Sequence, residues 1–278
     1  MPTGSSSILL IGEYDVGKTV YGAQLLRRLL TKQGKLRMHG LASNLQPFEA
    51  ALHKLSDGLL PDHTPTATFS ESVWPVADSE ENRAELIWPD YGGEQVSTML
   101  ESRLIPSEWK NRVFSCNAWL VMIRPSQVFV RDDILTKSAV EGASAFSRRN
   151  ADFAKQAQLV ELLQTLIFFW RISENRHAAL PPLAIILSCW DELSNDDTPQ
   201  DVLRNHAPLL DQFLAANYLD SSLAIYGVSS LSRALDKKEP DPEFSAKGPE
   251  NFGYAIMPNG ERTSDLSAPL YFLMDRRE

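Results

Sequence analysis

The chain has 278 residues, 43% of them hydrophobic and 23% charged, with a formal net charge of −9. That is long and apolar enough for a large buried core, and the acidic balance argues against a non-specific nucleic-acid footprint, which needs clustered Lys and Arg. Only two cysteines occur, Cys116 and Cys189, without C-x-x-C or Cys/His ligand spacing, so neither a disulfide framework nor a zinc site is expected.

The first residues run into Ile8-Leu9-Leu10-Ile11 without the basic and apolar regions of a secretory leader. No stretch reaches transmembrane length, so a cytoplasmic protein without direct membrane insertion is expected. The apolar run suits a buried parallel strand. It continues into Gly12-Glu13-Tyr14-Asp15-Val16-Gly17-Lys18-Thr19, where two glycines bracket four residues ahead of the Lys-Thr pair. This spacing lets backbone N–H groups curl around the α- and β-phosphates of a nucleotide, Lys18 reach the β- and γ-phosphates, and the Thr19 hydroxyl ligate Mg²⁺. A helix carrying Val20, Ala23, Leu25, Leu26, Leu29 and Leu30 follows, ending near Gln33-Gly34, and its positive N-terminal dipole joins the anion site. The candidate phosphate-binding residues are Gly12, Asp15, Val16, Gly17, Lys18, Thr19 and Val20.

Lys35 to Gly40 is short and polar, an edge strand or a connection. Asn44 then caps a helix patterned by Leu45, Phe48, Ala51, Leu52 and Leu55, with Gly58 at its stop. After an irregular segment, Ala67 to Val76 reads as a strand turning at Ala77-Asp78-Ser79 into a hairpin partner, Asn82 to Trp88. That partner ends in Pro89-Asp90-Tyr91-Gly92-Gly93-Glu94-Gln95, an acid at a strand terminus followed by glycines. Ala118 to Ile123 is another buried strand, and residues 126 to 150 read as an irregular surface insertion. Phe153 to Ile172 carries Leu159, Leu162, Leu163, Leu166, Ile167 and Trp170 at the spacing of a core-facing helix. Leu183 to Leu187 is a strand closing on Ser188-Cys189-Trp190-Asp191, Val202 to Asn217 a helix, and Leu223 to Ser230 the last buried strand. The tail opens with a Lys- and Pro-rich loop, then offers a short extended element at Phe252 to Met257 and a closing helix at Leu266 to Met274. Alternating strands and helices predict a three-layer α/β fold with a mostly parallel sheet. Ligands bind such sheets at the carboxyl ends of the strands, where Gly12, Asp90, Asp191 and Ser229 fall. A single domain over 1–278 is expected, with a core at 8–231 and a C-terminal extension at 232–278.

The loop Gly12 to Thr19, the Asp90-Tyr91-Gly92-Gly93 step, the strand-terminal Asp191 and the late Ser229 resemble, in type and order, a P-loop GTPase of the translation-factor and Ras-like (TRAFAC) class. The segments His63-Thr64-Pro65 and Trp88-Pro89-Asp90-Tyr91-Gly92-Gly93-Glu94 are most similar to those of bacterial double-GTPase (DO-GTPase) proteins of predicted conflict or defence systems. The resemblance implies a GTP- and GDP-binding, Mg²⁺-dependent switch, and the helix that Asn44 caps stands as an insert before its first switch region, where a plain small GTPase has only a loop. It assigns Mg²⁺ to Thr19, to Asp90 through water, and to a first-switch threonine, Thr64 or Thr66. It assigns the γ-phosphate to the N–H of Gly93, guanine to the Asp191 carboxylate, and guanine O6 to the N–H of Ser229.

Two departures from the family pattern matter. The usual Asn/Thr-Lys-x-Asp of base recognition is here Ser188-Cys189-Trp190-Asp191, which keeps the carboxylate and loses the lysine stem. Asp191 can alternatively be read as a helix cap. The water-positioning Gln is replaced by Glu94, with Gln95 one place later, and no Arg stands between Met38 and Asn82 to act as a finger in cis, so slow unassisted turnover and a protein partner at the switch face are expected. Lys18 with Glu94 or Gln95 would carry what catalysis there is. The rival readings are a P-loop ATPase, argued against by Asp191, and a non-hydrolysing nucleotide-binding scaffold, motivated by Glu94.

Overall fold

The runs Ile8 to Ile11, Ala118 to Ile123 and Leu183 to Leu187 lie side by side as parallel strands. Each is covered on both faces, which is why each is apolar throughout and not alternating. The structure is a computed structural model and describes residues 6–62, 70–90, 96, 99, 102, 104–128, 139–173, 179–193 and 196–274, the side chains of 70, 90, 139–154 and 173 excepted. Its strands are β1 (Ser6–Gly12), β2 (Arg37–Met38), β3 (Ser70–Ala77), β4 (Arg83–Asp90), β5 (Ala118–Ile123), β6 (Leu183–Ser188), β7 (Leu223–Ser229), β8 (Tyr254–Ile256) and β9 (Arg262–Thr263). They form one sheet in the order β2-β3-β4-β1-β5-β6-β7-β8-β9. The centre, β4 to β7, is parallel, while β2 and β3 on one side and β8 and β9 on the other are antiparallel, so the sheet is mixed.

The helices are α1 (Lys18–Thr31), α2 (Gln46–Ser56), α3 (Ser107–Ser115), α4 (Pro125–Val128), α5 (Ala139–Ser173), α6 (Pro199–His206), α7 (Pro208–Asn217), α8 (Pro242–Lys247) and α9 (Ala268–Met274). Successive strand residues point to opposite faces, and this sorts them into two cores. Leu9, Ile11, Trp119, Val121, Ile185 and Leu187 pack with residues of α3, α5, α6 and α7. Ile8, Leu10, Leu120, Met122 and Ile186 pack with Leu25 and Leu29 of α1, Phe48 of α2, and Leu270 and Leu273 of α9. The three layers follow from that alternation. Among the described residues, no helix is long and apolar enough to cross a membrane.

The helical insert is fixed by aromatic packing. Trp74 of β3 and Trp88 of β4 have ring centroids 4.7 Å apart, and Phe48 of α2 stands edge-on to both at 4.9 and 5.4 Å. Asn44 bonds the helix start, its Oδ1 accepting from the Gln46 amide at 3.0 Å, although Leu45 is the residue in the cap position. Beyond α2, the Leu60 amide donates to the Asp236 carbonyl at 2.8 Å and the Asp241 amide to the Gly58 carbonyl at 3.0 Å. These bonds strap the insert to the C-terminal segment, whose β8, β9 and α9 join the same sheet and core.

Two elements differ from the sequence reading. Residues 126–150 are not wholly irregular: Pro125–Val128 is helical and α5 begins at Ala139, far ahead of Phe153. The stretch from 139 lacks an apolar stripe but contains Ala at 139, 143, 145, 151 and 154 and no Pro, so propensity carries the helix where pattern is silent. The helix expected from Val202 to Asn217 is broken in two at Ala207 (φ −134, ψ 57), because Pro208 has no N–H to donate and bars the residue before it from the helical region. β3 is described from Ser70, and residues 67 to 69 lie outside the described residues.

Candidate functional site

β1 ends at Gly12, where an added Cβ would lie 2.9 Å from Val16 Cγ2 and 3.1 Å from the Met122 carbonyl oxygen, so a side chain has no room. The chain then turns back through two left-handed residues, Asp15 (φ 58) and Gly17 (φ 79), and α1 starts at Lys18. Such turns gather successive N–H groups into an anion-binding concavity at a helix N-terminus. Lys18 Nζ lies over the loop, donating to the carbonyls of Gly12 at 2.9 Å and Glu13 at 2.6 Å. From the opposite face, Lys155 of α5 pairs with the buried Glu13 carboxylate at 2.5 Å.

A cleft of about 300 Å³ opens above this loop. One wall is Tyr14 through Val20, another is Arg124 with Ser188, Cys189, Asp191 and Glu192, and a third combines Leu60, Pro61, Trp88, Ser230 and Leu231. The structure thus brings Asp15, Val16, Gly17, Lys18, Thr19, Val20 and Asp191 to one cavity, with Gly12 beneath it. Asp191 sits in a 3₁₀ turn, Trp190–Glu192, and α6 is capped by Thr198, whose Oγ1 accepts from the Asp201 amide at 3.2 Å, so Asp191 is not a helix cap. Ser229 ends β7 and is fully buried, its Oγ accepting from the Ser232 amide at 2.9 Å, and the cleft wall is formed one residue later by Ser230. Gln24 of α1 holds that wall, donating from Nε2 to the Ser230 carbonyl at 2.9 Å. Asp90 ends β4, the strand paired with β1, which sets its backbone beside the phosphate loop. Thr64, Thr66, Gly93, Glu94 and Gln95 lie outside the described residues.

Arg124 and Glu192 were not singled out by sequence. Arg124 follows β5 directly and donates from Nη1 to Asp15 Oδ2 at 2.8 Å and to the Asp15 carbonyl at 3.2 Å. Its Nε donates to Glu192 Oε2 at 3.3 Å, and Nη2 donates to Oε1 of the same carboxylate. The hydrogen bond with Glu192 foremost holds this guanidinium above its ordinary pKa. The available signal was a basic residue at the carboxyl end of a central strand, the edge where ligands bind. Cys189, in the place of the family's lysine, is left-handed (φ 51), and burial pushes its thiol up to about 11, so it is uncharged at neutral pH.

A family model described as Double-GTPase 1 matches residues 9–273. No curated protein matches the chain by sequence. Similar solved structures include the Arl6 BBS3 small GTPase from Trypanosoma brucei with a bound nucleotide analogue, GppNp, at 11% identity and a TM-score of 0.41, covering 81% of this chain and 87% of that one. The signal recognition particle receptor SRb-GTP/SRX complex from Chaetomium thermophilum is similar at 14% identity and a TM-score of 0.39, covering 94% of this chain and 100% of that one.

Proposed function

Because the chain belongs to the Double-GTPase 1 family, a GTP-binding family, we propose that it is a Mg²⁺-dependent nucleotide-state switch that hydrolyses GTP slowly on its own. The observation that carries this reading is that Lys18 and Asp191 face one cleft from the carboxyl ends of β1 and β6. The phosphates lie in the loop, with Lys18 on the β- and γ-phosphates, and the Asp191 carboxylate accepts from guanine N1–H and N2–H. Adenine lacks those donors, which favours GTP over ATP. The donor set suits Mg²⁺, a hard cation that keeps several waters: a Thr19 hydroxyl on the cleft wall, a carboxylate residue, Asp90, at the end of the neighbouring strand, and phosphate oxygens to complete the shell.

Slow turnover is supported by what the chain supplies. Phosphoryl transfer is catalysed by positioning and by positive charge on the γ-phosphate, and an arginine given in trans is worth roughly 10³ to 10⁵ in rate. Here the loop carries a half-exposed Tyr14, and no Arg occurs between Met38 and Asn82. A protein partner docking on residues 59–66 and 90–96 completes the site and senses the γ-phosphate, with Thr64 or Thr66, Gly93, and Glu94 or Gln95 ordered by it. On the double-GTPase resemblance we assign the switch to a bacterial conflict or defence system in the cytoplasm.

The test is to denature the purified protein and chromatograph the released base, then to titrate GTP and ATP by calorimetry with and without Mg²⁺. A guanine nucleotide, and GTP affinity falling about 100-fold or more in Lys18→Ala, are expected, since a charge-assisted contact is lost from a site that still presents the anion. Equal GTP affinity in wild type and Lys18→Ala, or ATP competing as well as GTP, would overturn the assignment. Single-turnover hydrolysis by the isolated protein is expected at about 10⁻³ per second or below.

A further inference from the structure

The cleft has two working ends contributed by elements far apart in the chain, and one side chain touches both. Arg124 Nη1 is 2.8 Å from the carboxylate of Asp15 in the phosphate loop, and Arg124 Nε is 3.3 Å from the carboxylate of Glu192, the residue after Asp191. Those two partners stand 109 and 68 positions away from it in sequence. The family's lysine, whose stem would cover the base here, is absent, and the thiol of Cys189 in its place is uncharged at neutral pH. We propose that Arg124 is a positioning residue: it braces the base-reading turn Trp190–Glu192 against the phosphate loop, so that both ends of one nucleotide are gripped by a single rigid unit. The inference rests on the nucleotide reading above and adds to it the residue that couples the two ends.

Three physical points support the brace. A guanidinium is a planar fork of donors, so it can meet Glu192 with two N–H groups and still turn a third toward Asp15, which an ammonium on a flexible stem does with less fixed geometry. Its backbone is anchored: Arg124 lies between the last residue of β5 and the first of α4, and the Ser188 hydroxyl donates to the Ile123 carbonyl at 3.2 Å, tying β6 to β5 at the same level. The side chains of Arg124, Asp15 and Glu192 are 25%, 40% and 35% exposed. Isolated pairs that open to water contribute little to folding. The value of this trio therefore lies in coupling: a ligand spanning both ends gains the affinity of each without ordering one against the other.

The experiment compares wild type, Arg124→Ala, Glu192→Gln and the double variant by hydrogen exchange of the nucleotide-free protein and by binding of two probes, GTP and inorganic tripolyphosphate. The second probe engages only the phosphate end. Arg124→Ala is expected to speed exchange at residues 13–17 and 189–193 together, with the thermal midpoint little changed. It is also expected to weaken GTP about tenfold more than it weakens tripolyphosphate. Glu192→Gln should loosen the same two segments, and adding it to Arg124→Ala should cost no further GTP affinity, because the shared contact is already gone. Exchange that rises in one segment only, losses that add, or equal weakening of the two probes would overturn the brace. A wild type that binds no GTP at all would sink the nucleotide reading and leave the exchange comparison to decide the brace by itself.

Discussion

In α1, Gly22 faces the aromatic rings that seat the insert, and a Cβ there would lie 2.4 Å from Phe48 Cε1 and 3.1 Å from Trp88 Cζ3. Helix propensity alone would make Gly22→Ala stabilising by about 1 kcal/mol. The Phe48 ring is held by Trp74 and Trp88 and cannot swing away, so overpacking wins, and a net loss of about 1–3 kcal/mol is expected. A raised thermal midpoint for Gly22→Ala would contradict the packing described. At this scale the sequence is informative where chemistry demands fixed spacing. Lys18 and Thr19 are readable from two glycines, and Asp191 from its place after an apolar strand. Arg124 is not readable in that way, because its role comes from two carboxylates brought to it by the fold and from no local pattern. Ser229 was readable as a strand terminus, but whether it or Ser230 lines the cleft depends on a turn whose closing bond to Ser232 no propensity foretells.

Elements were legible where burial imposes a period. The central strands are unbroken apolar runs, and α5 is legible from Phe153 on because Leu159, Leu162, Leu163 and Leu166 recur on one face. Its first turns have no such stripe. The break before Pro208 was legible in principle, since proline states its own constraint, but the apolar pattern continuing through Leu209, Leu210 and Leu214 masked it. What no pattern offered was the strap between α2 and the segment leading to α8. Gly58 is left-handed there (φ +71), and a Cβ would meet the Asp241 carbonyl oxygen and Ser245 Oγ, each at 2.5 Å. Gly58→Val combines backbone strain with that clash and is expected to cost about 1–3 kcal/mol. Because the strap closes one wall of the cleft, limited proteolysis should cut between 232 and 248 faster in the variant. Unchanged cleavage there would mean that the two segments are not tied.

For the molecule as a whole, alkaline pH is the informative stress. Burial raises the thiol of Cys116 from 9.0 to about 12 and that of Cys189 from 9.0 to about 11, and it raises the phenol of Tyr226 from 10.0 to about 12. Tyr21 and Tyr218 are raised further by the same cause. In each case the folded chain keeps the proton that the unfolded chain gives up, so the stabilisation is fully present below pH 9 for the thiols and below pH 10 for the phenols, and is lost as pH rises from there through each group's folded value. Each group contributes a slope of about 1.4 kcal/mol per pH unit within its window. Urea midpoints are expected to fall above pH 9, less steeply in Cys116→Ala, and a flat profile to pH 11 would contradict the burial. The two borders of the sheet bear on a different hazard. β2 and β9 are two residues each, Arg37 of β2 is paired with Glu81, Arg262 of β9 lies over the Tyr254 ring, and beyond β2 the His39 and Ser43 amides donate to the Pro75 and Val73 carbonyls of β3. A growing cross-β stack needs about six consecutive free backbone groups in a flat, uncharged run, and among the described residues the two-residue border strands do not offer them. Among the described residues the sheet borders are therefore poor templates for self-aggregation, and a partner is expected to join through helices or loops and not by lengthening the sheet.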